Sequence, residues 1–134
     1  MERQKKVVDA SVIVKCFVNE PGSDAALELW EEHTSGKSLI VVPDTALSEI
    51  LNVLRYKHFD NAKLQAANKI IWDAQLHTER TSQFLMGRAA MLALKHNLSV
   101  YDAFYLAVGE LFGAQVYTSD KQLSRCPNTI SVPA

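Results

Sequence analysis

Apolar residues along this chain fall into two patterns. Short β-branched runs alternate with longer segments in which apolar positions recur every three to four residues, the signature of strands separated by helices. Residues 6–10 read as a short buried strand, because the pair Val7-Val8 follows a charged run. A helix is expected over 11–18 and is broken at Pro21-Gly22. Ser23 or Asp24 can cap the next helix, which carries Ala26, Leu29, Trp30 and His33 along one face. Ser35-Gly36 stops it. The run Ser38–Pro43 (SLIVVP) is the clearest strand, closed by a proline that cannot continue a ladder.

Asp44 is placed to cap a helix whose apolar stripe is Leu47, Ile50, Leu51 and Leu54. Asp60-Asn61 opens another helix, running to about Ala74 with Leu64, Ala67, Ile70 and Ile71 inward. A further helix over 82–95 stops near Asn97. Ser99 precedes a helix of about 100–112 that is apolar almost all round and is therefore expected to be buried, with Gly113 at its end. Residues 114–119 and 129–133 read as two more strands. Strands separated by helices imply βαβ units, hence an α/β fold with a small parallel sheet covered by helices. Ligands in such sheets bind beyond the carboxyl ends of the strands.

Composition narrows the class. The chain has 134 residues, 48% apolar and 22% charged, which is too apolar for disorder. No linker or low-complexity tract interrupts it, so a single domain over 1–134 is expected. No stretch free of Lys, Arg, Asp and Glu exceeds nine residues, against the roughly 20 apolar residues of a membrane helix. The apolar segment after MERQKK is interrupted by Asp9 and Lys15 too soon for a signal peptide. These features predict a cytoplasmic protein without a membrane partner.

A net charge of −1, from 14 Lys plus Arg against 15 Asp plus Glu, argues against a generic polyanion binder but leaves room for a local basic rim. Cys16 and Cys126 have no paired spacing and read as reduced core thiols. His33, His58, His77 and His96 lack any zinc-ligand spacing, and their places near helix ends suit dipole or surface roles. Arg3, Lys5 and Lys6 read as a solvated terminus. No nucleotide-binding glycine loop or serine-hydrolase elbow is present.

The candidate chemistry is acidic. Asp9 ends the first strand and Asp120 follows Thr118-Ser119 at the end of the penultimate one, so both stand at the edge where α/β sheets carry sites. Glu49 points away from the apolar stripe of its helix, and Asn52 and Tyr56 share its face. Asp102 sits in the first turn of the most apolar helix. Each acid has a plainer reading: Asp9 and Asp120 as turn acids, Glu49 as solvated surface, Asp102 as the fourth residue of a capping box begun by Ser99. Four acids arriving from four elements are harder to dismiss than any one of them.

Carboxylates gathered in one place repel and raise one another's pKa values unless a cation intervenes. Oxygen ligands without a His/Cys set favour Mg²⁺ or Mn²⁺, which bind through a few carboxylates, waters and substrate phosphate. Such a site can activate water and stabilise charge on a phosphate during in-line displacement. Lys15 and Lys121, close in sequence to two of the acids, are the candidate phosphate contacts.

At this point the sequence resembles a known family. Val7-Val8-Asp9-Ala10-Ser11-Val12-Ile13-Val14-Lys15, Glu49, Tyr101-Asp102-Ala103-Phe104-Tyr105-Leu106-Ala107 and Thr118-Ser119-Asp120 together are similar to a PIN domain, especially the small VapC-type toxins. The resemblance implies a PIN-like three-layer α/β/α fold and a Mg²⁺- or Mn²⁺-dependent endoribonuclease acting on single-stranded RNA. It maps Asp9, Glu49, Asp102 and Asp120 onto metal-binding and catalytic acids, and Ser11 and Thr118 onto supporting hydroxyls, with Asn52 as a further supporting candidate on the Glu49 helix. Gln122 stands where some members carry another acid. The family also implies a homodimer and a small cognate antitoxin. Two other readings compete: a phospho-receiver-like signalling domain, which also gathers acids around Mg²⁺, and a catalytically silent PIN fold that only binds a partner.

Overall fold

The computed structural model describes residues 3–134; Met1 and Glu2, the start of the charged N-terminal run, lie outside the described residues. Five parallel strands form one sheet: β1 (Gln4–Val8), β2 (Ser38–Pro43), β3 (His77–Glu79), β4 (Val116–Thr118) and β5 (Thr129–Ser131). Their order is β3-β2-β1-β4-β5. The chain starts in the middle, builds outward through β2 and β3, then crosses back to lay β4 on the other side of β1. Val7 of β1 lies opposite Val41 of β2 and Val116 of β4. The crevice where the winding reverses lies at the carboxyl ends of β1 and β4, the place such sheets use for ligands. This order differs from the 2-1-3-4-5 arrangement of flavodoxin-like sheets and so argues against the receiver reading.

Six α-helices flank the sheet: α1 (Ala10–Ile13), α2 (Ser23–Thr34), α3 (Ala46–Tyr56), α4 (Asn61–Asp73), α5 (Gln83–His96) and α6 (Val100–Phe112). Consecutive residues Val7 and Val8 are both fully buried, as are Val41 and Val42, so both faces of the central strands are covered. The largest buried side chains, Tyr105, Ile13, Ile40, Ile50, Leu54 and Leu123, come from both sides of the sheet and its carboxyl edge. None of the helices among the described residues is long and apolar enough to cross a membrane.

Local signals set most boundaries. The Asp60 side chain caps α4 through the Lys63 N–H, and the Ser82 hydroxyl caps α5 through the Leu85 N–H. The Ser99 hydroxyl accepts the Asp102 N–H at 3.1 Å to start α6. Asn97 and Gly113 end α5 and α6 in the left-handed conformation.

Several expectations need correction. The helix expected over 11–18 is one α-helical turn continued by a 3-10 turn, Val14–Cys16. Asp44 does not cap α3. Its carboxylate accepts the Thr81 N–H and hydroxyl instead, tying the end of β2 to the segment after β3. Ile70 of α4 is 48% exposed, whereas Ala67 and Ile71 face the core. The α6 helix is buried over residues 103–109, but Tyr101 and Leu111 near its ends are exposed. Strand β3 is an addition to the strands the sequence pattern predicts.

His33 is neither a surface group nor a dipole partner. It is buried, with Nδ1 accepting the Ile40 N–H at 3.0 Å and Nε2 donating to the Ala74 carbonyl at 2.7 Å. Nor are Arg3 and Lys6 free in solvent. Arg3 donates to the carbonyls of His33 and Ser38, and Lys6 pairs with Glu32 at 3.0 Å. Both cysteines are free thiols. Cys126 is buried and Cys16 is half-buried, its pKa pushed up to about 12 by burial.

A candidate acidic active site

Asp9 is the residue on which the site is built. It stands between β1 and α1, and its backbone carbonyl starts the helix by accepting the Val12 and Ile13 N–H groups. Its side chain does not cap that helix. The carboxylate turns across the strand ends, where Oδ2 accepts the Thr118 hydroxyl at 2.7 Å and the Ser11 hydroxyl at 2.8 Å. Those hydroxyls are themselves held. Thr118 Oγ1 accepts the Asp120 N–H at 2.9 Å, and Ser11 Oγ accepts the Ser119 N–H at 3.1 Å. The turn after β4 is thereby locked to the first turn of α1 through the carboxylate between them. Asp9 is only 5% exposed and Thr118 is fully buried. Beyond any role in the turn, the Asp9 carboxylate joins two elements through hydroxyls.

The other three acids reach the same cleft. Asp9, Ser11, Lys15, Glu49, Asp102 and Asp120 all line a cavity of about 370 Å³ at the carboxyl edge of the sheet. Glu49 enters from the first turn of α3, with Oε1 accepting the Tyr105 hydroxyl at 2.5 Å. Tyr105 was not singled out as a site residue. It is 1% exposed, and its oxygen also accepts the Ala10 N–H at 3.3 Å, so one phenol spans α6, α3 and the start of α1. The only sequence signal for it is its i+3 spacing from Asp102, which puts both on one face of α6. Asp102 uses its backbone N–H, rather than its carboxylate, in the cap made with Ser99. Asp120 does both jobs: Oδ2 accepts the Leu123 N–H at 2.8 Å to start the 3-10 turn Leu123–Arg125, while the residue still lines the cleft.

The gathering of the acids shifts their protonation. Burial raises the Asp9 pKa, with the Asp102 charge adding to it and the Thr118 and Ser11 hydroxyls opposing it. Burial likewise raises Glu49; the charges of Asp9 and Asp102 act in the same direction and the Tyr105 hydroxyl acts against them. Asp102 is raised by burial and then by Asp120. Among the described residues, no Lys, Arg or His forms an ion pair with any of these four acids. The result is a concentration of uncompensated negative charge, which suits a hard cation. Among the described residues, no three His, Cys, Asp or Glu side chains stand close enough together to enclose a metal ion by themselves. A Mg²⁺ ion bound by so open a set of carboxylates would complete its shell with water.

The remaining candidates divide between the cleft wall and the surface outside it. Lys15 lies on the cleft wall, but its ammonium is buried and paired with Glu20 Oε1 at 3.2 Å. Asn52 is exposed on α3 and outside the cleft lining, where Val53 and Lys57 appear instead. Lys121 and Gln122 are exposed and also outside it. The acid missed by sequence reasoning is Glu20, whose Oε2 also pairs with Lys57 at 2.9 Å.

The local backbone holds this wall in place. Gly22 has φ of 89°, and a Cβ there would lie 2.2 Å from the Pro133 carbonyl and 3.1 Å from the Lys15 stem. Only glycine admits both the left-handed conformation and that close approach.

The same assignment comes from comparison with known proteins. The family model for the PIN domain matches residues 6–128. Ribonuclease VapC3 of Pyrobaculum aerophilum is 35% identical over 127 residues, covering 90% of this chain and 92% of that protein. The crystal structure of Mycobacterium tuberculosis VapC20, described as a Sarcin-Ricin loop cleaving toxin, superposes with a TM-score of 0.74 at 21% identity, covering 95% of this chain and 98% of that one. A toxin-antitoxin complex from Klebsiella pneumoniae gives 0.72 at 17% identity, covering 93% and 95%. The chain belongs to the PIN domain family, as a VapC-type member.

Proposed function

We propose that this protein is a divalent-metal-dependent endoribonuclease that cleaves single-stranded RNA, and that it is the toxin of a toxin-antitoxin pair. The observation that carries the reading is the buried Asp9 carboxylate. It is oriented by two hydroxyls that are themselves held by backbone N–H groups, and it faces three other acids across one cleft. The 35% identical relative named a ribonuclease supports RNA as the substrate.

Asp9, Glu49, Asp102 and Asp120 would hold Mg²⁺ or Mn²⁺. When bound, the ion supplies Lewis-acid activation of water and neutralises charge developing at the phosphate. The chain contributes the geometry. Ser11 and Thr118 fix the Asp9 carboxylate, Tyr105 fixes Glu49, and the Leu123 N–H fixes one oxygen of Asp120. Carboxylates held in advance need little reorganisation during the reaction.

The relatives support a partner as well. The similarity to a chain solved in a toxin-antitoxin complex favours a small antitoxin, and an antitoxin Arg or Lys reaching the unpaired acids would block the site by competition with the cation. Exposed apolar side chains on α5, including Phe84, Met86, Met91 and Leu94, are surface that a homodimer or antitoxin would cover. The test is incubation with unstructured and hairpin RNAs in Mg²⁺, Mn²⁺ or EDTA. Cleavage of the unstructured RNA only when an ion is present is the expected result. Undiminished cleavage in EDTA contradicts the metal assignment.

A further inference from the structure

Among the described residues, Lys15 and Lys57 are the only cationic side chains lining the acidic cleft, and neither is bonded to the four acids. Both are instead held by one carboxylate. Glu20 places Oε1 3.2 Å from Lys15 Nζ and Oε2 2.9 Å from Lys57 Nζ. One anion with two oxygens, each on a separate ammonium, is the arrangement in which the two non-bridging oxygens of a phosphodiester would sit. The three residues come from different elements: the 3-10 turn after α1, the loop before α2, and the C-terminal end of α3. Lys57 and Glu20 are 37 residues apart. The Lys15 stem packs where a side chain on Gly22 would intrude, so its amine is held toward Glu20.

The three groups differ in freedom. The Lys15 side chain is 5% exposed, Glu20 26% and Lys57 37%. Lys15 is therefore a fixed charge, whereas Glu20 can swing toward solvent and Lys57 can follow a ligand. Burial of Lys15 requires a counter-ion, which Glu20 supplies, whereas the more exposed Lys57–Glu20 pair contributes little to stability, so the fold accounts for the first contact and not for the second.

We propose that Lys15 and Lys57 form a subsite for a backbone phosphate of single-stranded RNA, and that Glu20 occupies this subsite as an internal anion until RNA displaces it. This rests on the ribonuclease reading and deepens it by naming a contact for the strand beside the acids. The phosphate replaces Glu20 on the two ammonium groups, Glu20 turns out to solvent, and no covalent step is involved. Because the contact is to the backbone, it adds affinity without sequence preference.

The proposal gives opposite signs to two neighbouring substitutions. Glu20→Gln removes the competing charge and should tighten RNA binding. Lys57→Gln removes one arm of the subsite and should weaken it. The probe is a fluorescein-labelled single-stranded RNA of mixed sequence, kept intact by EDTA, followed by anisotropy at several salt concentrations. Lys57→Gln should weaken binding about three- to tenfold and reduce the salt slope by about 0.7, the value for one phosphate contact on a single strand. Glu20→Gln should tighten binding about threefold, and the gain should vanish in the double variant Glu20→Gln/Lys57→Gln.

Melting temperatures establish that each variant is folded. Should Glu20→Gln not fold, because Lys15 is left buried without a counter-ion, Lys57→Gln decides through its affinity and salt slope. Wild-type binding that neither substitution changes, or weaker binding by folded Glu20→Gln, overturns the subsite alone. A wild-type protein that neither binds this probe nor cleaves RNA overturns the ribonuclease reading itself.

Discussion

The Tyr105 hydroxyl donates to Glu49 at 2.5 Å while accepting the Ala10 N–H at 3.3 Å, so the acid on α3 is aimed by a phenol buried in α6. Burial, followed by the nearby charges of Asp9 and Glu49, pushes the Tyr105 pKa well up, so it remains a donor throughout the physiological range. Tyr105→Phe removes the hydroxyl and keeps the ring. It leaves the Ala10 N–H without its partner, at a cost of about 1–3 kcal/mol for an unsatisfied buried donor. It also releases Glu49, and loss of such an orienting partner typically weakens metal affinity about 10–100-fold. A Mn²⁺ titration of both cleavage rate and melting temperature should show the midpoint moving to higher ion concentration in the variant. An unmoved midpoint means that Tyr105 serves packing only.

Repulsion among the acids makes a prediction about stability. Asp102 is raised by burial and by Asp120, and its charge in turn raises Asp9 and Glu49. Asp102→Asn removes that charge with little change of volume and leaves the Ser99 cap on the backbone N–H intact. In EDTA the variant should melt at a higher temperature than the parent. Ion at 100 times its dissociation constant should stabilise the parent by about 2.7 kcal/mol, or roughly 3–5 °C per kcal/mol for a domain of this size. Calorimetry should find a much smaller ion-induced shift in the variant. Equal shifts in the two proteins contradict a role for Asp102 in holding the ion.

Two sets of groups give the fold opposite dependences on pH. The folded-state pKa values of Asp9, Glu49 and Asp102 are raised, so their contribution to the stability of the metal-free protein is present below the ordinary carboxylate range and is lost as pH rises through the raised values. His33 runs the other way. Burial lowers its pKa, with the Ala74 carbonyl opposing and Arg3 assisting. A depressed histidine contributes stability that is present above its ordinary pKa of about 6.5 and is lost as pH falls through the lower folded value. Protonation would put a hydrogen on Nδ1, where the Ile40 N–H is accepted. Imidazole NMR should show His33 as the Nε2–H tautomer with a midpoint below 6.5. A midpoint at or above 6.5 contradicts the buried bridge.

Much of this architecture was legible because it is encoded locally. Asp60, Ser82 and Ser99 sit one turn from the N–H groups they satisfy, and Asn97 and Gly113 stop helices by their own backbone preferences. Asp9 and Asp120 were legible through the rule that α/β sites lie at strand ends. Distant partners hid the remainder. Asp44 looked like a helix cap because nothing nearby shows that Thr81, 37 residues on, takes its carboxylate. His33 looked superficial because Ala74 is 41 residues away.

Strand β3 is three residues of His-Thr-Glu at the sheet edge, with no apolar alternation to betray it. Tyr105 was concealed by its own apolarity: an aromatic in the most buried helix reads as core, and its hydroxyl acquires meaning only once Glu49 and Ala10 are brought beside it. Asn52 illustrates the converse. It shares a helical face with Glu49 in projection, yet by the second turn that face has left the cleft, and Val53 and Lys57 continue the wall.

The most direct test of the central claim is the cleavage rate of an end-labelled single-stranded RNA by the wild type and Asp9→Asn, side by side in Mn²⁺, with the product ends identified. Asparagine retains the shape and can still accept from Ser11 and Thr118, but it removes the charge at the centre of the site. The wild type is expected to cut with water as the nucleophile, leaving no 2′,3′-cyclic phosphate. Asp9→Asn should be slower by at least about 100-fold, since losing such a ligand forfeits several kcal/mol of transition-state stabilisation. Equal rates for the two proteins, with contaminating nuclease excluded, or cyclic phosphate at the cut ends, would contradict the claim.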